Sequence, residues 1–506
     1  MKMSTVPVSI LLAVLFFGCS KGFQNKNSQT VSPPPVPGVS LAAPAGSGLV
    51  GDPNIKYFGR WDTTNPAQYV SYWGGAYIRV KFSGTTVKMK VGVNTNYYVK
   101  IDNGPWVSYI GVTGTVNLTP TPLASGTHTL AVAQGKDYSY VFNFQGLVLD
   151  PGATTSAPSV GTDIIEWIGD SITSGYRDSQ ADVSDYAWVA SEALNAEHTQ
   201  IAYPGIALVT GYGVNADKTG MDAQYFKLQS LAYPSSPDWD FSRYTPKIIV
   251  VNLGTNDNTS HAPDSTFQRV YTTFLANVRA KFANAQIFVL RTFAGVKSTP
   301  TAAAVAARHA AGDSKVLYIN TNGWLTPGSS DFVDGLHPSD SGHMKVAARL
   351  QPILAPYLTG GTPSIANGTY KVVCRNDGQI LDAKSKDSVN GTPIQQWNYS
   401  GGTNQKWTVT SLGGNLYKIV GLASGRCLDV TGNVTTDGAK IQLFDYHSGA
   451  GQQWSITPAG GGYYTVTSVR SGLLLDVVGS SKTPGALIQQ WHSTDSTSQQ
   501  WAFQAP

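Results

Sequence analysis

Residues 367–506 repeat themselves three times at one strict spacing. Tyr370, Tyr417 and Tyr464 stand 47 residues apart, as do Asp382, Asp429 and Asp476, and Trp407, Trp454 and Trp501. Each copy ends in Gln-x-Trp: Gln405-Lys-Trp407, Gln452-Gln-Trp454 and Gln499-Gln-Trp501. A unit this short cannot bury its apolar face alone, so the copies must pack on one another. The closing Trp of each copy reads as core packing. This region is a domain of its own, reached through a linker at 359–366 that contains Thr359-Gly-Gly-Thr-Pro-Ser364.

The chain has 506 residues, enough for about three domains. Residues 51–155 look all-β. Tyr77-Ile-Arg-Val-Lys-Phe82 and Val87-Lys-Met-Lys-Val91 alternate apolar with polar, the period of a half-buried strand. Tyr97–Ile101 is a further strand, and Asp102-Asn-Gly104 a turn. A sandwich or jelly roll is expected. Residues 156–358 differ. Apolar runs at Ile164–Ile168, Ile248–Leu253 and Ile287–Leu290 are separated by helical patterns over Tyr186–Ala196, Thr266–Phe282 and Ser341–Leu358. Strand alternating with helix implies a parallel sheet covered on both faces.

Net charge is only +4, which disfavours a nucleic-acid partner, because such proteins carry a strong basic stripe. Charged residues make up 13%, and Glu occurs at 166, 192 and 197 only, which excludes a long-helix protein. A glycosidase is disfavoured too, since most need paired carboxylates across the bond. The aromatic, weakly charged composition suits neutral polymers.

The central domain carries three motifs. Gly169-Asp170-Ser171 follows the run 164–168 directly. A Ser at a strand-to-helix turn is exposed at the carboxyl end of the sheet, where open α/β folds place their sites. Gly254-Thr-Asn256-Asp257 follows the run 248–253, and an Asn there can donate to an oxyanion. Asp334-Gly-Leu-His337-Pro338 opens the last helical pattern. His337 suits a general base for Ser171, and Asp334 can orient its other ring nitrogen. The last motif is expected by chance in about one chain in several hundred.

These motifs, in this order, resemble the SGNH/GDSL hydrolases. The resemblance implies Ser171 as nucleophile, His337 as base with Asp334 its usual partner, and Asn256 and Gly205 (in Ala202-Tyr-Pro-Gly205) as oxyanion donors. It implies acyl transfer needing no metal or cofactor. Gly59-Arg-Trp61-Asp62, Tyr72-Trp73-Gly-Gly-Ala-Tyr77 and Asp185-Tyr-Ala-Trp188 resemble carbohydrate esterase family two over about 51–358. Members remove acetyl groups from xylan and glucomannan. Some are described as using a Ser–His pair alone, so the side-chain role of Asp334 stays open here. Trp61, Trp73 and Trp188 read as core aromatics, with sugar platforms the alternative. A broad carboxylesterase or lipase, and a non-catalytic carbohydrate-binding surface protein, are the rival readings.

The repeat resembles the ricin-B lectin β-trefoil. That family binds sugar with an Asp, a Gln-x-aromatic unit and an Asn before the final Gln. The first copy matches fully at Asp382, Gln395, Trp397, Asn404 and Gln405. The second has Asp429, Gln442 and Phe444, with Gly451 in place of Asn. The third has Asp476, Gln489 and Trp491, with Ser498 in place of Asn. The first pocket is therefore expected to bind best. The whole chain is expected to be multidomain: a β-sandwich jelly roll, an α/β/α SGNH-hydrolase domain and a β-trefoil.

Three cysteines exclude an even disulfide framework. Cys19 ends the apolar segment Val8–Gly18 with Phe-Phe-Gly-Cys, which resembles a bacterial lipobox. Residues 1–19 then read as a lipoprotein signal peptide, with Cys19 lipidated, and 20–50 as a Pro/Ser/Gly-rich tether. The expected protein is exported and bound to a membrane through that anchor alone. Its expected partners are an acetylated polysaccharide and a carbohydrate at the trefoil. A monomer is expected. A Cys374–Cys427 bridge is left open.

Overall fold

The computed structural model describes residues 43–135, 141–233, 235–358, 365–413, 416–460, 462–494 and 496–506. The signal peptide, Cys19, most of the tether and most of the 359–366 linker lie outside the described residues. The end of the expected tether is part of the first domain instead. Leu147 N donates to Gly48 O (2.7 Å), Thr155 N to Gly46 O (3.1 Å), and Val50 is buried. Val50 gives this segment an apolar anchor in the sandwich.

The first domain is an antiparallel β-sandwich built on one long strand, Val87–Ile101. It pairs with Val107–Asn117, Gly126–Gln134 and Phe142–Leu149. The runs Val87–Val91 and Tyr97–Ile101 are thus one strand, not two. Register shifts between them bend it, so its two halves serve different neighbours. Ile78, Val80, Phe82, Met89, Leu130 and Phe142 fill the interior.

The central domain has five parallel strands in the order Glu197–Ala202, Ile164–Gly169, Ile248–Asn252, Gln286–Leu290, Val316–Ile319. They are buried almost throughout and carry helices on both faces, as their apolar runs require. The expected helices span Tyr186–Ala193, Asp264–Lys281 and Asp340–Leu354. Pattern reading missed the Ala-rich helix Ser298–Ala310 and the short last strand.

The first two domains are locked by Arg60. It leaves the sandwich fully buried and donates to Tyr225 O and Lys227 O (2.8 Å) of the central domain. Its guanidinium lies 4.0 Å from Glu166, which also accepts from the hydroxyls of Tyr225 and Tyr244. Trp61, Trp73 and Trp188 are buried core aromatics, and Trp73 Nε1 donates to Leu228 O across the same junction.

In the third domain the strands Gly368–Cys374, Trp407–Gly413, Leu416–Gly421, Trp454–Gly460, Tyr463–Ser468 and Trp501–Gln504 pair in a closed ring. One hairpin per repeat caps it, giving a β-trefoil. Trp407, Trp454 and Trp501 are fully buried and donate to Leu381, Leu428 and Leu475 carbonyls at 2.9–3.1 Å. Cys374 and Cys427 are free, buried thiols, pushed up to about 12 and about 11 by burial. Leu416 and Val469 pack with Leu317, Ile319 and Ile353, so the trefoil rests on the last strand of the parallel sheet.

Candidate active site

Three loops leave one edge of the parallel sheet at the same level. Gly169 pairs with Ala202 on one side and Asn252 on the other. Ser171, Gly205 and Asn256 lie two, three and four residues beyond these positions. A Cβ at Gly169 would lie 1.9 Å from Thr173 Oγ1, so only glycine permits this tight turn. Asp170 Oδ1 accepts from Ile172 N (3.0 Å) and Ser171 O from Tyr176 N (2.9 Å), which fix the turn that presents Ser171.

His337 Nε2 lies 3.0 Å from Ser171 Oγ, and His337 Nδ1 lies 2.9 Å from Asp334 Oδ2. Asp334 Oδ1 also accepts from the amides of Leu336 (3.1 Å) and His337 (2.9 Å). Burial pushes the Asp334 carboxyl up, but the His337 amide and ring N–H outweigh it and hold it below its ordinary value. Asp334 is thus in contact with the His337 ring, in the place of a triad carboxylate. Asp334 Oδ2 and the His337 ring are joined directly, which sets the tautomer that leaves Nε2 free to accept a proton.

Gly205 has φ +83, and a Cβ there would meet Val214 Cγ2 at 2.7 Å and both Asn215 amide atoms at 3.0 Å. Asn256 Nδ2 donates to Ile206 O (2.9 Å), so one of its N–H groups holds the Gly205 loop and the other remains. Among the described residues, the amides of Ser171 and Gly205 donate to no protein acceptor. These donors, with the second Asn256 N–H, are the groups an oxyanion needs.

Sequence reasoning gave no role to Asp257, yet it clamps this loop. Its carboxylate accepts from Leu208 N (2.8 Å) and Val209 N (3.0 Å). Burial pushes it up to about 6 and pushes Asp170 up to about 7. Tyr176 and Arg177 were missed as well. The Tyr176 ring packs 4.8 Å from that of His337, and Arg177 Nε is 3.8 Å from Asp334 Oδ2. His343 is a buried structural residue whose Nδ1 accepts from Tyr186 N (3.2 Å).

In the first trefoil pocket Asp382 accepts from Gln395 Nε2 (2.9 Å) and Asn404 Nδ2 (2.7 Å), beneath Trp397, which is 43% exposed. Gln405 is 1% exposed, donates to Asn398 O (2.9 Å) and accepts from Ser400 N (2.8 Å), and its side chain also reaches the Asp382 carboxylate, so it holds the loop of the pocket from within. Gln452 and Gln499 make the same loop bonds in their repeats. In the third pocket Asp476 accepts from Gln489 Nε2 (2.9 Å) and from Ser498 Oγ (2.9 Å). Ser498 therefore supplies the bond that Asn404 makes in the first, and Trp491 is half-buried there. The second pocket has Asp429 with Gln442 (2.9 Å) and the half-buried Phe444, and Gly451 offers no side chain.

Comparison with known families finds three matches along the chain. Residues 57–158 match the carbohydrate esterase 2 N-terminal family. Residues 167–345 match the GDSL-like lipase/acylhydrolase family, and 358–444 with 450–505 the ricin-type beta-trefoil lectin domain-like family. The cellulase/esterase CelE of Acetivibrio thermocellus is 30% identical over 323 residues, 59% of this chain and 39% of CelE. An acetylxylan esterase / glucomannan deacetylase of Cellvibrio japonicus is 25% identical over 42% of this chain and 63% of its own length. The chain thus spans well under half of CelE and under two thirds of that Cellvibrio enzyme. A family two carbohydrate esterase from Clostridium thermocellum, solved with cellohexaose, superposes with a TM-score of 0.53 and 30% identity over 59% of this chain. Because that match covers 98% of the Clostridium structure, this chain belongs to carbohydrate esterase family two.

Proposed function

We propose that the protein is a serine esterase that removes acetyl groups from plant polysaccharides such as acetylxylan or acetylated glucomannan. The observation that carries this reading is the unbroken contact chain Ser171 Oγ, His337 Nε2, His337 Nδ1, Asp334 Oδ2. Ser171 Oγ attacks the acetyl carbonyl as His337 Nε2 takes its proton. The carbonyl oxygen becomes an oxyanion held by the amides of Ser171 and Gly205 and the side chain of Asn256. His337 then gives its proton to the departing sugar hydroxyl, leaving an acetyl ester on Ser171. Water, deprotonated by His337, attacks that ester; acetate leaves and Ser171 recovers its proton. Family membership supports the substrate class.

The trefoil holds the enzyme on the polymer, which raises local substrate concentration without new catalytic contacts. The lipobox-like ending at Cys19 supports export and anchoring by acyl chains, and the sequence between Cys19 and the first domain serves as tether. Among the described residues no helix is long and apolar enough to cross a membrane.

The test is acetate release from acetylated xylan by wild type and by Ser171→Ala. Release by the wild type alone supports the esterase. Equal release by both removes Ser171 as nucleophile. No release by either, with polymer binding lost in Trp397→Ala, leaves a carbohydrate-binding protein.

A further inference from the structure

Where the trefoil rests on the central domain, the seam is open. It holds a cleft of about 530 Å³, within the roughly 300–1,000 Å³ of small-molecule sites, which favour domain junctions. Arg291, Asn320, Asn322 and Ala303 line its esterase side, and Asp437 and His492 its trefoil side. Asp437 Oδ1 accepts from His492 N (2.7 Å) and Oδ2 lies 2.8 Å from His492 Nδ1, so the trefoil wall is built rather than loose.

Two placements tie this cleft to the sites already described. The His492 ring packs 5.4 Å from that of Trp491, the aromatic of the third sugar pocket, so that pocket borders the cleft. On the other wall, Arg291 and Asn320 directly follow the strands Gln286–Leu290 and Val316–Ile319. They stand on the same carboxyl edge of the sheet as Ser171. Three strand spacings separate the strand of Asn320 from that of Ser171, roughly 14 Å. The segment that begins at Asn320 also carries His337.

The chemistry of the lining selects the ligand. Two amides, one guanidinium, one carboxylate and an imidazole give donors and acceptors of both kinds with no field of single sign. That set fits the hydroxyls of a neutral polymer, and the alanines and Tyr318 beside it suit the apolar faces of sugar rings. We infer that this seam is a polysaccharide-binding cleft, which takes a stretch of the same chain whose acetyl groups meet Ser171. The third trefoil pocket is then one end of a composite site and not a free-standing lectin pocket. The identity of the polymer rests on the esterase reading above, while the existence of the cleft site does not.

The experiment uses the full-length protein with Ser171→Ala, so that binding is read apart from turnover. Retention on unacetylated xylan in an affinity gel is compared with and without Ala303→Trp, which fills part of the cleft volume, and with and without Asn320→Ala/Asn322→Ala, which removes two amides and leaves the volume open. Melting temperature checks each fold. Both changes are expected to weaken retention by about threefold to tenfold, the range of one or two lost hydrogen bonds. Unchanged retention in the folded variants overturns the cleft, even where the wild type releases acetate. Weakened retention in a protein whose Ser171-containing form releases no acetate supports the cleft and overturns the esterase reading instead.

Discussion

His337 Nδ1 sits 2.9 Å from Asp334 Oδ2, and the His337 amide donates to the other oxygen of the same carboxylate at 2.9 Å. Backbone and ring of one residue are thus fastened to one side chain three positions earlier. Asp334→Asn replaces an acceptor by an amide that can present N–H to the ring. It is expected to lower kcat by about 10²- to 10⁴-fold, the range seen when a triad carboxylate or a general base is lost. Loss below threefold would mean that Ser171 and His337 work as a pair. The pH dependence has a definite sign. Because the folded carboxyl lies below its ordinary value, its contribution is present above about pH 4 and is lost only as pH falls through the lowered value. Rate profiles of wild type and Asp334→Asn should therefore converge only in strong acid.

Gly205→Ala tests the oxyanion loop. At φ +83 an added Cβ is strained, and it would lie 2.7 Å from Val214 Cγ2. The loop must shift, although Asp257 and Asn256 still bind its next residues. One displaced oxyanion donor costs about 10²–10³ in kcat. Steady-state kinetics on a soluble acetyl ester should show that fall in kcat with little change in KM. A change confined to KM would place the Gly205 amide outside the oxyanion site.

The candidate catalytic residues were legible because each belongs to a short motif whose chemistry is local. Gly169-Asp170-Ser171 is a turn, and Asp334 and His337 are three residues apart and bonded to each other. The trefoil was legible through its period. What escaped depends on distant chain meeting distant chain. Arg60 and Glu166 are far apart in sequence, and nothing in either segment foretells a buried pair. Asp257 looked like a motif neighbour because its partners, the amides of Leu208 and Val209, carry no side-chain signature. Gln405 matches the sugar-binding pattern by type and position, but its bonds to Asn398 O and Ser400 N, which carry no side-chain signature, could not be read from the sequence. The seam with the trefoil was invisible for the same reason, since the Ala-rich helix Ser298–Ala310 that lines it carries no signature of a partner.

Ser498 changes the ranking of the sugar pockets. Its hydroxyl bonds Asp476 as the Asn404 amide bonds Asp382, so the third pocket keeps its carboxylate oriented. Only the second pocket, with Gly451, lacks that bond. Trp397→Ala and Trp491→Ala are each expected to weaken binding to immobilised xylan by about 5- to 10-fold, the equivalent of roughly 1 kcal/mol of aromatic contact. Phe444→Ala should cost less than half of that. Titration calorimetry with a soluble xylo-oligosaccharide checks the order. An unaffected Trp491→Ala would restore the first pocket as the main one.

Asp182 gives the pH prediction with the clearest sign. It is fully buried in the turn Ala181–Val183, and burial pushes its carboxyl up to about 8. In the unfolded chain it returns to about 4. Between those values the folded protein keeps a proton that the unfolded chain has released. Stability from this group is therefore fully present below the unfolded value and falls as pH rises toward the folded one, by at most about 1.4 kcal/mol per pH unit. Asparagine imitates the protonated acid and cannot ionise. Asp182→Asn should accordingly melt above wild type at pH 8, with the advantage gone or reversed at pH 4. Scanning calorimetry at the two pH values decides it. A wild type that remains the more stable at pH 8 would mean that Asp182 is ionised in the folded protein and held by donors strong enough to offset its burial.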